Sequence, residues 1–310
     1  MGRSYHNSFF AMNTRCFVLL PGMGDSEADR LFQSIKTEVL RIENKISRFL
    51  PTSDLSFINK KAAEHPVYLD DEMFDIIKTC IQYFKQTDGR FDVTLRPLMN
   101  YWSHDNSPNP NLNKLEELRS SLGTDAIHID DADRTVSFEH PEVEIDLGGF
   151  GKGYALTRVD DILTHHEVEH LFLSFGESSI LTRGSHPAGP HWKIGLKDYR
   201  DSSRTMYNFS VNHASISTSS NFYVNDNGRL INHRHVIHPF TAYPIEACLT
   251  ASVCSASAIE AEVLSTAYLI DAADDNHIKP PPRSDITIVT INYDSNSVEP
   301  EITTSKSPAT

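Results

Sequence analysis

Four glycines fall within Asp146-Leu147-Gly148-Gly149-Phe150-Gly151-Lys152-Gly153-Tyr154, and a helical pattern follows to about Leu163. Glycine loses more backbone freedom on folding than any other residue, so a run of it between ordered elements marks a place of close main-chain approach. Glycines ahead of a helix let backbone N–H groups reach a phosphate, which the helix N-terminus favours. Lys152 would add a cation there, and Asp146 could hydrogen-bond a polar ligand edge. The alternative is a tight strand-to-helix turn with no ligand. The spacing matches neither a Walker A loop nor the G-x-G-x-x-G fingerprint.

The elements around this run do not alternate as βαβ units. Met12–Leu20 reads as a strand closed by Pro-Gly-Met-Gly, and a capping-box pattern at Ser26 and Asp29 opens a helix. Leu31, Ile35, Val39, Ile42 and Ile46 recur at helical spacing, and Pro51 ends the helix near Phe49. A second helix is expected from Glu72 to Gln86 and a short one over Lys114–Leu122. Short strands are expected at Ile127–Ile129, Thr135–Phe138 and Val143–Ile145. Further strands are expected at Leu171–Phe175, Trp192–Leu196, Tyr207–Val211 and Asp285–Asn292, with an apolar helix at Ile259–Ile270. The class is therefore α+β, mixed sheets with packed helices. One domain is expected over residues 1–293, with a flexible polar tail over 294–310.

The formal net charge of −14 argues against nucleic-acid binding and against electrostatic attachment to a membrane. No stretch approaches the ~20 apolar residues of a membrane-spanning helix, and no signal peptide is recognisable. The four cysteines form no CxxC pair and read as reduced core thiols. A cytoplasmic protein without membrane insertion is expected.

Chemistry could sit at several places. Glu262 and Thr266 lie four residues apart on the expected helix, so they share a face, and both are hard oxygen donors suited to Mg²⁺. The plain alternative is an ordinary helix surface. Asn232-His233-Arg234-His235-Val236-Ile237-His238-Pro239 concentrates histidines. One could act as a general base near neutral pH, the three could hold a transition metal, or the segment could be an exposed turn. Strand alternation would put His233 and His235 on one face with Arg234 opposite. Asp92 and Thr94, in Gly89-Arg90-Phe91-Asp92-Val93-Thr94, could tie a turn or read a ligand.

Taken in order, these segments resemble the ApbE family of FAD:protein FMN transferases, from about Met12 to Asp271. Met12-Asn13-Thr14 is similar to the family's M-G-T, and Glu43 through Asn59 to its E…S…(S/D)…S…N segment. Residues 89–94 with Pro97, Leu98 and Trp102 resemble G-x-F-D-x-T…P-L…W, and Asp146–Tyr154 resembles D-L-G-G-x-x-K-G-Y. Ser217–Ser220, His235–Thr241 and Ala261–Ala267 resemble T-S-G, H-I-I-D-P-x-T-G and A-D-A-L-A-T-A.

The resemblance implies an ApbE-like flavin transferase fold. It implies Mg²⁺-dependent transfer of FMN from FAD to a Thr or Ser hydroxyl of an acceptor protein, releasing AMP. Met12, Phe49, Arg90, Phe91, Asp92, Asp146, Lys152 and Ile237 would bind FAD. Glu262 and Thr266 would ligate Mg²⁺, joined by backbone oxygens near Gly149 and Ser265, and His235 would be the base. The rivals are a pyrophosphatase giving FMN and AMP, and a non-catalytic FAD-binding protein. Departures from the pattern imply a divergent branch: Asn13, Ser220 and Ala242 stand for Gly, His238 for Asp, and Glu262 for the metal-binding Asp. The end of the tail, Thr303 to Thr310, faintly resembles the acceptor motif such enzymes modify.

Overall fold

The computed structural model describes residues 4–104, 110–274, 278, 285–293 and 299–306. The chain opens with a hairpin of β1 (Ser4–Ala11) and β2 (Thr14–Pro21), turned at Met12 and Asn13, whose φ values are 50° and 58°. A two-residue hairpin turn of this hand favours glycine or asparagine, which explains why Asn13 can stand where the family pattern has Gly.

Next comes α1 (Asp25–Ile46), with Leu31, Ile35, Val39, Ile42 and Ile46 buried as the periodicity predicts, and Phe32 buried beside them. Its N-cap is Gly24 with no side-chain bond, so the capping box expected at Ser26 and Asp29 does not form; Ser26 Oγ accepts from Arg30 instead, at 3.1 Å. There follow α2 (Asp54–Lys61), β3 (Val67–Tyr68), α3 (Asp71–Gln86), α4 (Arg96–His104) and α5 (Leu112–Ser120). Then come β4 (Ile127–Asp130), β5 (Thr135–Phe138), α6 (Gly151–His165), β6 (Leu171–Phe175) and β7 (Ser179–Arg183). The chain continues through β8 (Trp192–Lys197), β9 (Thr205–Val211), β10 (Ala214–Ser220), β11 (Phe222–Val224) and β12 (Leu230–Asn232). It ends in β13 (Leu249–Ser255), α7 (Ala258–Asp271), β14 (Thr287–Asn292) and β15 (Glu301–Lys306).

An eight-stranded antiparallel sheet, ordered β1-β2-β6-β7-β10-β13-β14-β15, organises the molecule. On one face α7 packs against β10 and β13, α6 against α7, and α1 against α6. On the other face a smaller core gathers Ile180, Ile216, Val289 and Ile291 under Phe209 of β9 and Phe222 of β11. Helices and antiparallel sheets together give the expected α+β class. No helix among the described residues is long and apolar enough to cross a membrane.

Three local expectations are corrected. Val143–Ile145 is not a strand. Ile145 bonds instead to the Asn59 side chain, which donates to its carbonyl and accepts from its N–H at 2.8 Å each, so an amide stands in for a strand partner. β12 ends at Asn232, and Arg234 turns to φ 51°, so the histidine segment is not an alternating strand. Residues 301–306 are not loose: β15 pairs with β14 from Thr287↔Lys306 to Asn292↔Glu301. Ile302, Thr303 and Thr304 are strand-forming residues, and they cover what would otherwise be an open edge. Residues 307–310, with the acceptor-like end, lie outside the described residues.

Where α6 crosses α7, Gly153 leaves no room for a side chain. A Cβ there would stand 2.6 Å from the Ala258 carbonyl oxygen and 2.7 Å from Glu262 Cβ. Overpacking of this kind costs about 1–3 kcal/mol, against roughly 1 kcal/mol of helix propensity gained by alanine. Because the nearest obstruction is backbone, the upper end of that cost applies, and Gly153→Ala is expected to lose about 2 kcal/mol net. A melting temperature equal to that of the unsubstituted protein would refute the close packing.

A second tie joins α1, α3 and α6. Arg41 grips Glu72 with both guanidinium nitrogens at 2.7 Å, and the Tyr154 hydroxyl donates to Glu72 Oε1 at 2.8 Å. The Arg41 bonds, outweighing burial and helped by Tyr154, pull the Glu72 carboxyl from 4.5 to about 2. A carboxyl depressed on folding stabilises above its unfolded value and stops doing so as pH falls through the folded one. A shift of that size is linked to up to about 3 kcal/mol. The melting temperature should therefore fall between pH 4.5 and 2, less steeply for Glu72→Gln; parallel pH profiles for the two proteins would dismiss the linkage.

Candidate active site

A cleft of about 710 Å³ opens where the end of α1, the glycine run, the start of α4, the end of β10, α7 and the loop after β12 converge. Twelve of the thirteen residues expected at the site line it: Met12, Phe49, Arg90, Phe91, Asp92, Asp146, Gly149, Lys152, His235, Ile237, Glu262 and Thr266. Ser265 does not. It is fully buried inside α7, its hydroxyl donating to the Glu262 carbonyl at 2.8 Å and meeting Ser219 Oγ at 2.8 Å. Three residues from Glu262 on a helix, it points at the sheet rather than the opening, and its carbonyl belongs to the helix ladder.

The polar end of the cleft is built on Glu262, 4% exposed. Its Oε1 lies 2.9 Å from Lys152 Nζ, and its Oε2 accepts from Ser179 and Ser217 at 2.8 Å each. Lys152 also donates to Ser179 Oγ at 2.9 Å and Ser178 Oγ at 3.2 Å. One turn along α7, Thr266 Oγ1 lies 3.3 Å from Ser219 Oγ. A Cβ on Gly149 would sit 3.3 Å from that same Thr266 oxygen, so the bare glycine backbone closes on the threonine. The donors are hard oxygens, of the type that suits Mg²⁺. Among the described residues no group of three or more His, Cys, Asp or Glu could hold a metal ion. A cation here would therefore rely on one carboxylate, hydroxyl and carbonyl oxygens, and the ligand's own phosphates.

Asp146 is locked rather than free. Arg48 Nε lies 2.7 Å from its Oδ2, and the Gly148 N–H donates to its Oδ1 at 2.8 Å. Arg48 also lies over the Phe49 ring at 3.9 Å. Desolvation lowers the Arg48 pKa, the Asp146 charge opposes that, and the nearby Arg96 adds to it. Neither arginine stands out in the sequence, because both sit at element boundaries outside any periodic pattern. Asp92 ties its turn, Oδ1 accepting from Thr94 N at 2.8 Å and Thr94 Oγ1 at 2.7 Å, while it also faces the cleft. Burial raises its carboxyl pKa despite those bonds. Met12 is held by its N–H, which donates to Glu43 Oε1 at 2.7 Å.

Arg90 lines the cleft, but its guanidinium is spent on ion pairs to Asp271 at 3.0 Å and Asp274 at 3.1 Å. The structure separates the histidines. His238 is buried, its Nε2 3.0 Å from Asp274 Oδ1 in the same charge cluster. His235 keeps an exposed ring on the cleft wall, set edge-on to His233 at 5.5 Å between centroids. Protein surrounds that ring closely enough for desolvation to push its pKa below the ordinary 6.5, with His233 adding to the shift. The three histidines therefore do not assemble a transition-metal site. Ile237 is buried against Leu98 and Trp102 of α4, and the Trp102 indole N–H donates to the Ala242 carbonyl at 2.8 Å. Ala242 has φ 61°, a conformation that explains glycine at this place in the family pattern.

The sequence model of the ApbE family matches residues 1–277. The FAD:protein FMN transferase of Escherichia coli K12 is 24% identical over 270 residues, spanning 84% of this chain and 76% of the relative. That of Chlamydia muridarum is 28% identical over 247 residues, spanning 78% and 73%. The crystal structure of the ApbE protein from Thermotoga maritima superposes with a TM-score of 0.80 at 25% identity, over 94% of each chain. The flavin transferase ApbE from Vibrio cholerae shares the fold, with a TM-score of 0.80 at 22% identity over 99% of this chain and 98% of that one.

Proposed function

The chain belongs to the ApbE family, and we propose from that premise that it transfers the FMN half of FAD to a Thr or Ser hydroxyl of an acceptor protein. The observation that carries this reading is one cleft holding apolar walls, the Lys152 cation at its polar end and a histidine whose pKa is lowered. Phe49, Phe91 and Met12 offer the flat and apolar surface a flavin needs, while Lys152 and the glycine backbone face the polar end. His235 stands on the wall with its pKa lowered, so at pH 7 its ring is neutral and can accept a proton.

In the proposed step the acceptor hydroxyl oxygen bonds to the flavin-side phosphorus. The bond from that phosphorus to the bridging oxygen breaks, AMP leaves with the electron pair, and the hydroxyl proton passes to His235. Lys152 binds and orients the pyrophosphate. Glu262 and Thr266, with the Gly149 backbone, would hold Mg²⁺, which supplies neutralisation of phosphate charge and of the departing oxygen. Arg48 fixes Asp146, which keeps the glycine run in place beneath the ligand.

The test is mass spectrometry after incubation with FAD, Mg²⁺ and a protein bearing a candidate Thr/Ser site. An FMN-sized increment on the acceptor, with an equal amount of AMP, is expected. Free FMN with AMP and an unmodified acceptor would replace transfer by hydrolysis, and unchanged FAD would refute catalysis.

A further inference from the structure

The charged side chains at the polar end of the cleft, Lys152 and Glu262, are already partnered inside the protein. An ammonium has three N–H donors, and Lys152 spends them on Glu262 Oε1, Ser178 Oγ and Ser179 Oγ. Glu262 Oε2 is taken by Ser179 and Ser217. Ser179 accepts from Lys152 and donates to Glu262, closing a ring of contacts between α6, β7 and α7. The carboxylate is buried, so its charge needs a partner, and Lys152 supplies one. Among the described residues no group of three or more His, Cys, Asp or Glu is placed to hold a divalent ion without help from a ligand.

We infer that Lys152 is the resident counter-cation of Glu262 and excludes a divalent ion from the ligand-free protein, so that metal and dinucleotide bind as a coupled pair. The inference rests on the proposed placement of the metal at Glu262. A divalent ion beside Glu262 would face the Lys152 ammonium across a single negative charge, an arrangement with excess positive charge in a desolvated corner. A bound pyrophosphate changes the balance. Its oxygens would accept the Lys152 N–H groups in place of Glu262, and Glu262 Oε1 would then be free to help hold the metal. Mg²⁺ sites completed by substrate phosphate rather than by a protein cage follow this pattern. The longer side chain of glutamate lets Oε2 reach Ser179 on β7 and Ser217 on β10, which hold the carboxylate while its partner changes.

The coupling is measured with Mn²⁺, an oxygen-seeking ion whose free form is counted by electron paramagnetic resonance. The full-length protein is expected to bind Mn²⁺ at least about 10-fold more tightly with FAD present, without acceptor, than alone. Linkage requires the same factor in FAD affinity when Mn²⁺ is added. Lys152→Met should bind Mn²⁺ without FAD at least about 10-fold more tightly than the unsubstituted protein. Lys152→Gln, which keeps a polar end, gives the same readout if the first variant folds poorly. Equal Mn²⁺ affinity with and without FAD, or no gain in either folded Lys152 variant, overturns the coupling. Glu262→Gln separates the two layers of the argument. If it abolishes Mn²⁺ binding in the FAD complex, the site assignment stands and the Lys152 variants alone decide the coupling. If it leaves that binding intact, the metal lies elsewhere and the inference falls with the assignment.

Discussion

His235→Ala is expected to bind FAD like the unsubstituted protein and to lose transfer by on the order of 10²–10⁴-fold. The ring contributes little to the core: it is exposed on the cleft wall and its ring neighbour is another histidine, so its removal should leave the melting temperature nearly unchanged. Its lowered pKa fixes the sign of the pH dependence. The neutral, proton-accepting form prevails above a value below 6.5, so transfer should rise through mildly acid pH and then stay level toward pH 8. In His235→Ala this acid limb should vanish. His238→Ala is the contrast, because that ring is buried against Asp274 and does not line the cleft. Its loss should appear first as reduced stability, since it leaves the Arg90–Asp271–Asp274 cluster without a member. If His238→Ala lost transfer as severely as His235→Ala while remaining as stable as the parent, the assignment of the base would be wrong.

The helices that the sequence displayed carry either a one-sided apolar stripe or, like α7, an apolar run buried on nearly every side. α1 and α3 bury one stripe each, so their apolar spacing names them. β13 is buried along its whole length between the helical layer and the smaller ribbons, and its Thr250, Ser252 and Ser255 break any apolar run. Leu249, Ala251 and Val253 do alternate with Thr250 and Ser252, but the run is short and its small Ala and Ser side chains give a weak strand signal. α2 spans only eight residues, too short for periodicity to register.

The same contrast holds at the site. The motifs that line the cleft were readable because each keeps its residues close in sequence. The serines that hold Glu262 were not, because Ser217 and Ser179 reach it across 45 and 83 residues of chain, and that meeting exists only after the sheet and α7 pack. A trace was present in β10, where Ser217 and Ser219 alternate onto one face, the one that meets α7. Arg48 had no such trace; its role depends on the glycine run returning beside the end of α1.

Glu262→Gln is expected to reduce turnover by at least about 10³-fold, the size of several kcal/mol of lost charge stabilisation. On an ordinary helix surface, the plain alternative for Glu262, removal of the carboxylate would cost the fold little. The structure shows the opposite: the side chain is buried and bridges Lys152, Ser179 and Ser217. Removing one partner of a fully buried ion pair costs about 3–5 kcal/mol, but Lys152 retains 24% exposure and can turn to water. A loss of roughly 1–3 kcal/mol is therefore expected for Glu262→Ala, and less for Glu262→Gln, whose amide can still meet the serines. Glutamine is thus the variant that separates charge from structure. Glu262→Asp restores the charge one methylene further back, beyond comfortable reach of both serines, and should keep turnover while weakening the hold on the carboxylate. Steady-state turnover at rising Mg²⁺, alongside thermal melts, tests all three. Undiminished turnover of Glu262→Gln, above all with EDTA present, would mean that the negative charge at this position takes no part in the chemistry.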